Sequence, residues 1–241
     1  MTIFYIDTEY NDGNLYIGDI FEIACLSSTG KLFHSYINIP TNVSHYVQKL
    51  CNLKLSKLKQ SPQFSDVIDE LISFITKEES YEKQTVVMGH GAFLTDFPLL
   101  ITNCIKHHYD HSVFKEYKFV DSMESFRNSG YVRPGLDSLS STHRVVHTAL
   151  EDVKLLQHIV TTHHDIRYKL YTYEDILTHL AVKMPLTIPE VQKEAQKGSY
   201  EDLELLLEKN SREKTALNKR QLLKIVNRYY YDLSCIYSVT L

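Results

Sequence analysis

Residues 3–7 read Ile-Phe-Tyr-Ile-Asp, and Thr8-Glu9 follow directly. β-Branched and aromatic side chains ending in a carboxylate predict a short buried strand with its charge at the tip. Residues two apart on an extended segment share a face, so Asp7 and Glu9 present their carboxylates together. Two converging carboxylates repel each other unless cations lie between them. Oxygen ligands of this kind suit Mg2+ or Mn2+. A lone Asp-x-Glu is ordinarily a solvated strand end, so the pair gains meaning only from the rest of the chain.

Outward from this strand, residues 19–28 and 31–39 are two further strand candidates, with Thr29-Gly30 as a hairpin turn. Val43–Leu50 and Phe64–Thr76 follow. The second carries Phe64, Val67, Ile68, Leu71, Ile72 and Ile75 at helical spacing, an amphipathic stripe. Thr85–Met88 reads as a compact strand ending at Gly89. Phe97–Lys106 reads as a helix with Pro98 in its first turn, where proline is tolerated. Lys118–Val120 is a short strand ending at Asp121. Ala149–Val160 is a helix with Ala149, Val153, Leu156 and Val160 on one face. An antiparallel opening followed by alternating strands and helices predicts an α/β domain on one mixed sheet flanked by helices. After about His164 the pattern becomes helical and no strand is expected. Tyr173–Ala181, Pro189–Ala195, Tyr200–Lys209 and Asn218–Tyr231 are separated by Pro and Gly punctuation. The expected division is a domain over 1–164 and an all-helical extension over 165–241.

The 241 residues carry 26 basic and 30 acidic side chains, a formal charge of −4. A protein gripping duplex DNA through phosphates would carry a basic excess, which argues against an architectural binder. An enzyme that holds a strand end briefly and gathers cations in an acidic pocket is compatible with this balance. Cys25, Cys51, Cys104 and Cys235 form no CxxC pair, and Cys25 and Cys104 lie in apolar runs, so buried free thiols are expected. No signal pattern and no run of ~18 apolar residues is seen. The expectation is a soluble intracellular protein, of cytoplasm or nucleus, with no membrane partner.

Two further segments carry chemistry. In His147-Thr-Ala-Leu-Glu-Asp152, Thr148 and Glu151 form a capping box that makes Thr148 the N-cap. His147 and Asp152 then occupy the two positions that an apolar staple would normally bring into contact. A helix start presenting an imidazole and a carboxylate side by side gives up packing and suits a site. In Gly89-His-Gly-Ala-Phe-Leu-Thr-Asp-Phe-Pro-Leu-Leu100 a strand runs into a glycine loop, and Asp96 stands at a helix entry, where the dipole favours an acid.

Together, in order and character, these three signals resemble the DEDDh 3'→5' exonucleases of the RNase H-like superfamily (DnaQ-like exonucleases). Asp7 and Glu9 match the first motif, Asp96 the second, and His147 with Asp152 the third. Within that family the chain is most similar to the three-prime repair exonucleases and their PML-associated relatives. Asp96-Phe-Pro-Leu-Leu100, Phe119-Val-Asp-Ser122 and Leu136–Leu139 carry that likeness, which covers roughly residues 1–164. Gly91 stands where the family usually has Asn, and Thr95 where an aromatic usually precedes the aspartate. The resemblance implies two Mg2+ ions, with Mn2+ able to substitute, held by Asp7, Glu9, Asp96 and Asp152. It further implies His147 as general base and release of 5'-mononucleotides from single-stranded or frayed 3' ends of DNA, with RNA also open. Thr8, Tyr10, His90 and Ala92 are the candidate substrate contacts, His90 because it follows the fourth strand beside the glycine loop. Two other readings stay open at this point. The fold could serve as a nucleic-acid-binding scaffold with little turnover, or the C-terminal helices could hold a protein partner.

Overall fold

The structure is a computed structural model that describes residues 2–13, 15, 18–78, 84–141 and 146–183. Its centre is a six-stranded sheet, in which β1 (Thr2–Tyr10), β2 (Ile20–Ser27) and β3 (Leu32–Tyr36) form the expected antiparallel opening. β4 (Thr85–Gly89) lies parallel to β1 on its other side, and β5 (Lys118–Asp121) lies parallel to β4. The order is completed by β6 (Leu170–Tyr171), giving β3-β2-β1-β4-β5-β6. The expected mixed sheet flanked by helices is therefore observed.

Side chains alternate across a strand, and each face of the sheet has its own core. Phe4, Ile6, Ile23, Cys25, Val87 and Phe119 face α3 (Phe64–Glu78) and α4 (Asp96–Lys106). The buried residues of α3 are Phe64, Val67, Ile68, Leu71 and Ile75, almost the whole stripe read from the sequence. Tyr5, Ala24, Leu26, Val86, Met88 and Val120 face α7 (Ala149–Thr162), whose Ala149, Val153, Leu156 and Ile159 are buried against them. Two short helices, α1 (His45–Leu50) and α2 (Leu55–Lys59), share a smaller apolar cluster of Phe21, Val43, Cys51, Leu53 and Leu58. The short helices α5 (Ser122–Asn128) and α6 (Leu136–Leu139) complete the route from β5 to α7. Among the described residues, no helix is long and apolar enough to cross a membrane.

The region after residue 164 departs from expectation. Leu170 and Tyr171 pair with Val120 and Phe119 as an antiparallel edge strand, so a strand does follow residue 164. A two-residue strand has no periodicity to read, and its pairing comes from the neighbouring β5. The following helix α8 (Tyr173–Lys183) packs on α4 and buries Ile176, Leu177 and Leu180 in the main core. The remaining helices expected over 189–231 lie outside the described residues. A chain ending at Lys183 is expected to unfold cooperatively. One ending at His164 loses four buried aliphatic side chains, Ile166, Ile176, Leu177 and Leu180, worth about 1.5–3 kcal/mol each, a large share of a typical 5–15 kcal/mol. Thermal unfolding followed by circular dichroism compares the two, and equal melting temperatures would refute this assignment.

Candidate active site

β1 delivers Asp7 and Glu9 on the face that looks toward α7, while Thr8 between them points to the opposite face. The ladder with β2 runs regularly through Glu9↔Glu22 and then shifts between Glu9 and Tyr10. Such irregularities re-aim side chains where a strand leaves its partner. α7 begins where expected. Thr148 caps it, its Oγ1 accepting from the Glu151 amide at 3.3 Å, and its carbonyl accepts from the Asp152 amide at 3.0 Å. That cap sets Asp152 over β1. One carboxylate oxygen each from Asp7, Glu9 and Asp152 lies within 4.8 Å of the others. His147 Nδ1 stands 3.9 Å from Asp152 Oδ2, with a third of its side chain exposed, and its amide donates to the Leu50 carbonyl at 3.0 Å. The imidazole thus sits at the open rim of the acidic group, held from behind by the end of α1.

Asp96 is placed differently. It is buried, and its Oδ1 accepts from both the amide and the hydroxyl of Thr8, at 2.9 and 2.6 Å. Its Oδ2 accepts from Thr95 Oγ1 at 2.9 Å. It therefore stands outside the three-oxygen convergence and is joined to it through Thr8. The far end of α4 also grips the chain that follows β1. Lys106 forms a buried ion pair with Asp19 at 3.2 Å, and Asn103 Nδ2 donates to the Gly18 carbonyl at 3.0 Å.

The glycine loop is held by Asp121. Its Oδ1 accepts from the Gly91 amide at 2.9 Å and its Oδ2 from the Phe93 amide at 3.2 Å, while Oδ1 also caps α5 through the Glu124 amide. A Cβ on Gly89 would lie 2.4 Å from the Ala92 Cβ, so the turn closes only around glycine. Gly91 has φ +72°, a left-handed conformation that Asn tolerates best among residues with a side chain. Asn at this position would carry backbone strain that glycine avoids. Phe93 stacks on Tyr171 of β6 with ring centroids 4.0 Å apart, so the segment after residue 164 supports this loop.

Of the four expected substrate contacts, Tyr10 and His90 are part-exposed, and His90 Nδ1 lies 2.8 Å from Ser122 Oγ. Thr8 and Ala92 are 4% and 0% exposed. The Thr8 hydroxyl is committed to Asp96 and the Ala92 methyl to packing under Gly89, so neither side chain opens onto the cleft. Two neighbours of the site carry no signal in the sequence. Cys51 Sγ donates to Glu9 Oε2 at 3.3 Å, and Glu22, fully buried opposite Glu9, pairs with His34 Nε2 at 2.8 Å. Strand register alone brings Glu22 there.

Burial and like charge both act on the group. Burial, then the carboxylates of Asp96, Asp152 and Glu9, push Asp7 well above the usual carboxylate range. Burial raises Glu9 to about 7, opposed by the Cys51 hydrogen bond and reinforced by Asp152 and Glu22. Burial also raises Asp96, while the hydrogen bonds from Thr8 and Thr95 act against it. Tyr10 rises to about 12 through burial and the same carboxylates. A hard divalent cation fits this all-oxygen donor set and would relieve the repulsion.

The sign of the pH effect follows. Glu9 has a folded value of about 7 against an ordinary 4.5. In cation-free protein its contribution to stability is therefore fully present below the ordinary value and is lost as pH rises through about 7. A cation binds the ionised carboxylates, so millimolar Mg2+ should raise the melting temperature clearly at about pH 8 and little at about pH 5. Scanning fluorimetry at both pH values checks this, and an equal shift at the two would contradict it.

No family model matches the sequence, and no curated protein matches it. Solved structures do match the fold. A 3'-exonuclease captured in 3'-end specific recognition of a histone mRNA stem-loop superposes with a TM-score of 0.59 at 16% identity, covering 71% of this chain and 89% of that one. The nuclease domain of 3'hExo, a DEDDh family member bound to rAMP, gives 0.58 at 17% identity, covering 70% and 96%. The zinc-bound form of E. coli ExoI with ssDNA gives 0.55 at 14% identity, covering 68% of this chain and 41% of that one. At such identities the likeness is one of architecture, and this chain has the mixed-sheet fold of the DnaQ-like exonucleases.

Proposed function

We propose that this chain is a metal-dependent 3'→5' exonuclease that hydrolyses the terminal phosphodiester of DNA or RNA and releases 5'-mononucleotides. The observation that carries this reading is the convergence of Asp7, Glu9 and Asp152 beside His147 on the fold shared with 3'-exonucleases. Asp7, Glu9 and Asp152 are the residues that would hold divalent Mg2+ or Mn2+, with Asp96 completing the acidic set behind Thr8. When bound, two such ions supply positive charge to the phosphate and to the attacking and departing oxygens. His147 is exposed enough to meet a water molecule, and its Nδ1 faces Asp152 Oδ2 at 3.9 Å. It takes the proton as the water oxygen bonds to phosphorus and the bond from phosphorus to the preceding 3' oxygen breaks. That 3' oxygen is then protonated from solvent. Tyr10 and His90 lie on elements bordering the acidic group and would contact the terminal nucleotide.

The test uses purified protein with 5'-labelled single-stranded DNA and RNA, in Mg2+, Mn2+ or EDTA. A ladder shortening from the 3' end is expected only with metal. Asp7→Asn should lower kcat at least about 10²-fold, as for groups that organise transition-state charge. His147→Ala should lower it about 10²–10⁴-fold. Absence of cleavage in either metal by the wild-type protein would rule out the enzyme and leave a binding scaffold.

A further inference from the structure

Between Glu22 and Asp66 the sequence contains no acidic residue, yet it contains Lys31, Lys49, Lys54, Lys57 and Lys59. In a chain of net charge −4 this is a marked local reversal. The fold turns it into a surface. Lys49, Lys54, Lys57 and Lys59 are all exposed on α1, α2 and the link between them. Among the described residues none of the four is in an ion pair. Tyr46, on α1 three residues before Lys49, is 74% exposed. A groove of about 370 Å³ runs between α2 and the edge strand, lined by Tyr36, Asn52, Leu53, Lys54, Ser56 and Lys57. The Lys57 ammonium sits 3.4 Å from the centre of the Tyr36 ring.

This ridge adjoins the acidic cleft. Tyr36 is in register with Glu22, and Glu22 with Glu9, so the groove begins two strand spacings, roughly 10 Å, from Glu9. The end of α1 touches the site directly, through Cys51 to Glu9 and Leu50 to the His147 amide. An acidic cleft repels the phosphates of any strand that enters it, and a neighbouring row of cations offsets that repulsion. The exposed Tyr46 ring, with the part-buried Tyr36 ring beside it, lies among lysines, a stacking-plus-charge surface that suits single strands.

We propose that the α1–α2 ridge is the track for single-stranded nucleic acid upstream of the scissile end, with Lys54 and Lys57 on backbone phosphates and Tyr46 under a base. The inference rests on the exonuclease reading for its purpose, but its binding test does not need turnover. Fluorescence anisotropy in EDTA would compare the full chain with a Lys54→Ala/Lys57→Ala variant on a labelled twenty-nucleotide oligo(dT). Loss of two phosphate contacts should weaken binding roughly 10- to 30-fold at about 0.1 M salt and make the slope of log K against log salt shallower by about 1.4. Tyr46→Ala should weaken binding with the salt slope unchanged, and a Lys54→Arg/Lys57→Arg variant should restore both affinity and slope. With Mg2+, the double alanine variant should raise KM on the long strand and leave kcat on a dinucleotide as in the wild type. Equal affinity and slope for the wild-type and alanine proteins would overturn the ridge while leaving the exonuclease reading intact. Lysine-dependent binding without any cleavage by the wild type would keep the ridge and remove the enzyme. Failure of the wild type to bind the oligonucleotide would overturn the ridge and turn attention to an acidic protein as its partner.

Discussion

Thr8 gives both its amide and its hydroxyl to one oxygen of Asp96, and the site depends on that pair of bonds. Alternation along β1 makes it possible, because Asp7 and Glu9 emerge toward α7 while Thr8 emerges toward α4. The strand is thereby tied to the helix on one side while it offers two carboxylates on the other. The same helix closes on the chain again at its far end through the buried Lys106–Asp19 pair. With α4 fixed at both ends, the tip of β1 has little freedom to splay, although its carboxylates repel one another.

Burial adds to the effect of that repulsion. Asp7, Glu9 and Asp96 are all raised by burial, and the neighbouring carboxylates raise Asp7 further. Buried groups with such perturbed titration gather at functional sites. Positive charge lies on the α1–α2 ridge, close enough to act on a long anion that reaches the carboxylates.

Support for the site comes from distant parts of the chain. Asp121, at the end of β5, holds the glycine loop by two amides, and Tyr171 of β6 stacks beneath Phe93 of that loop. Leu50 and Cys51 of α1 reach His147 and Glu9. The segment after residue 164 thus belongs to the folded unit at least through α8, and its short strand and helix complete the sheet and the core together.

The sequence by itself determined the local features. The β1 alternation, the α3 stripe, the Thr148 cap and the glycine loop all express rules that act within a few residues. The convergence of Asp7, Glu9 and Asp152 was legible because each sat at a strand end or helix start whose direction those rules set. Tertiary structure alone decided the rest. Thr8 and Asp96 are 88 residues apart, and nothing near either marks Thr8 as a donor rather than a substrate contact. Glu22 meets Glu9 only through β1–β2 register, and Leu170–Tyr171 becomes a strand only because β5 offers an edge. Lys49, Lys54, Lys57 and Lys59 form a local run in the sequence, but only the fold sets them on one ridge beside the site. Periodicity reports which way a residue faces, but not what another part of the chain will place in front of it.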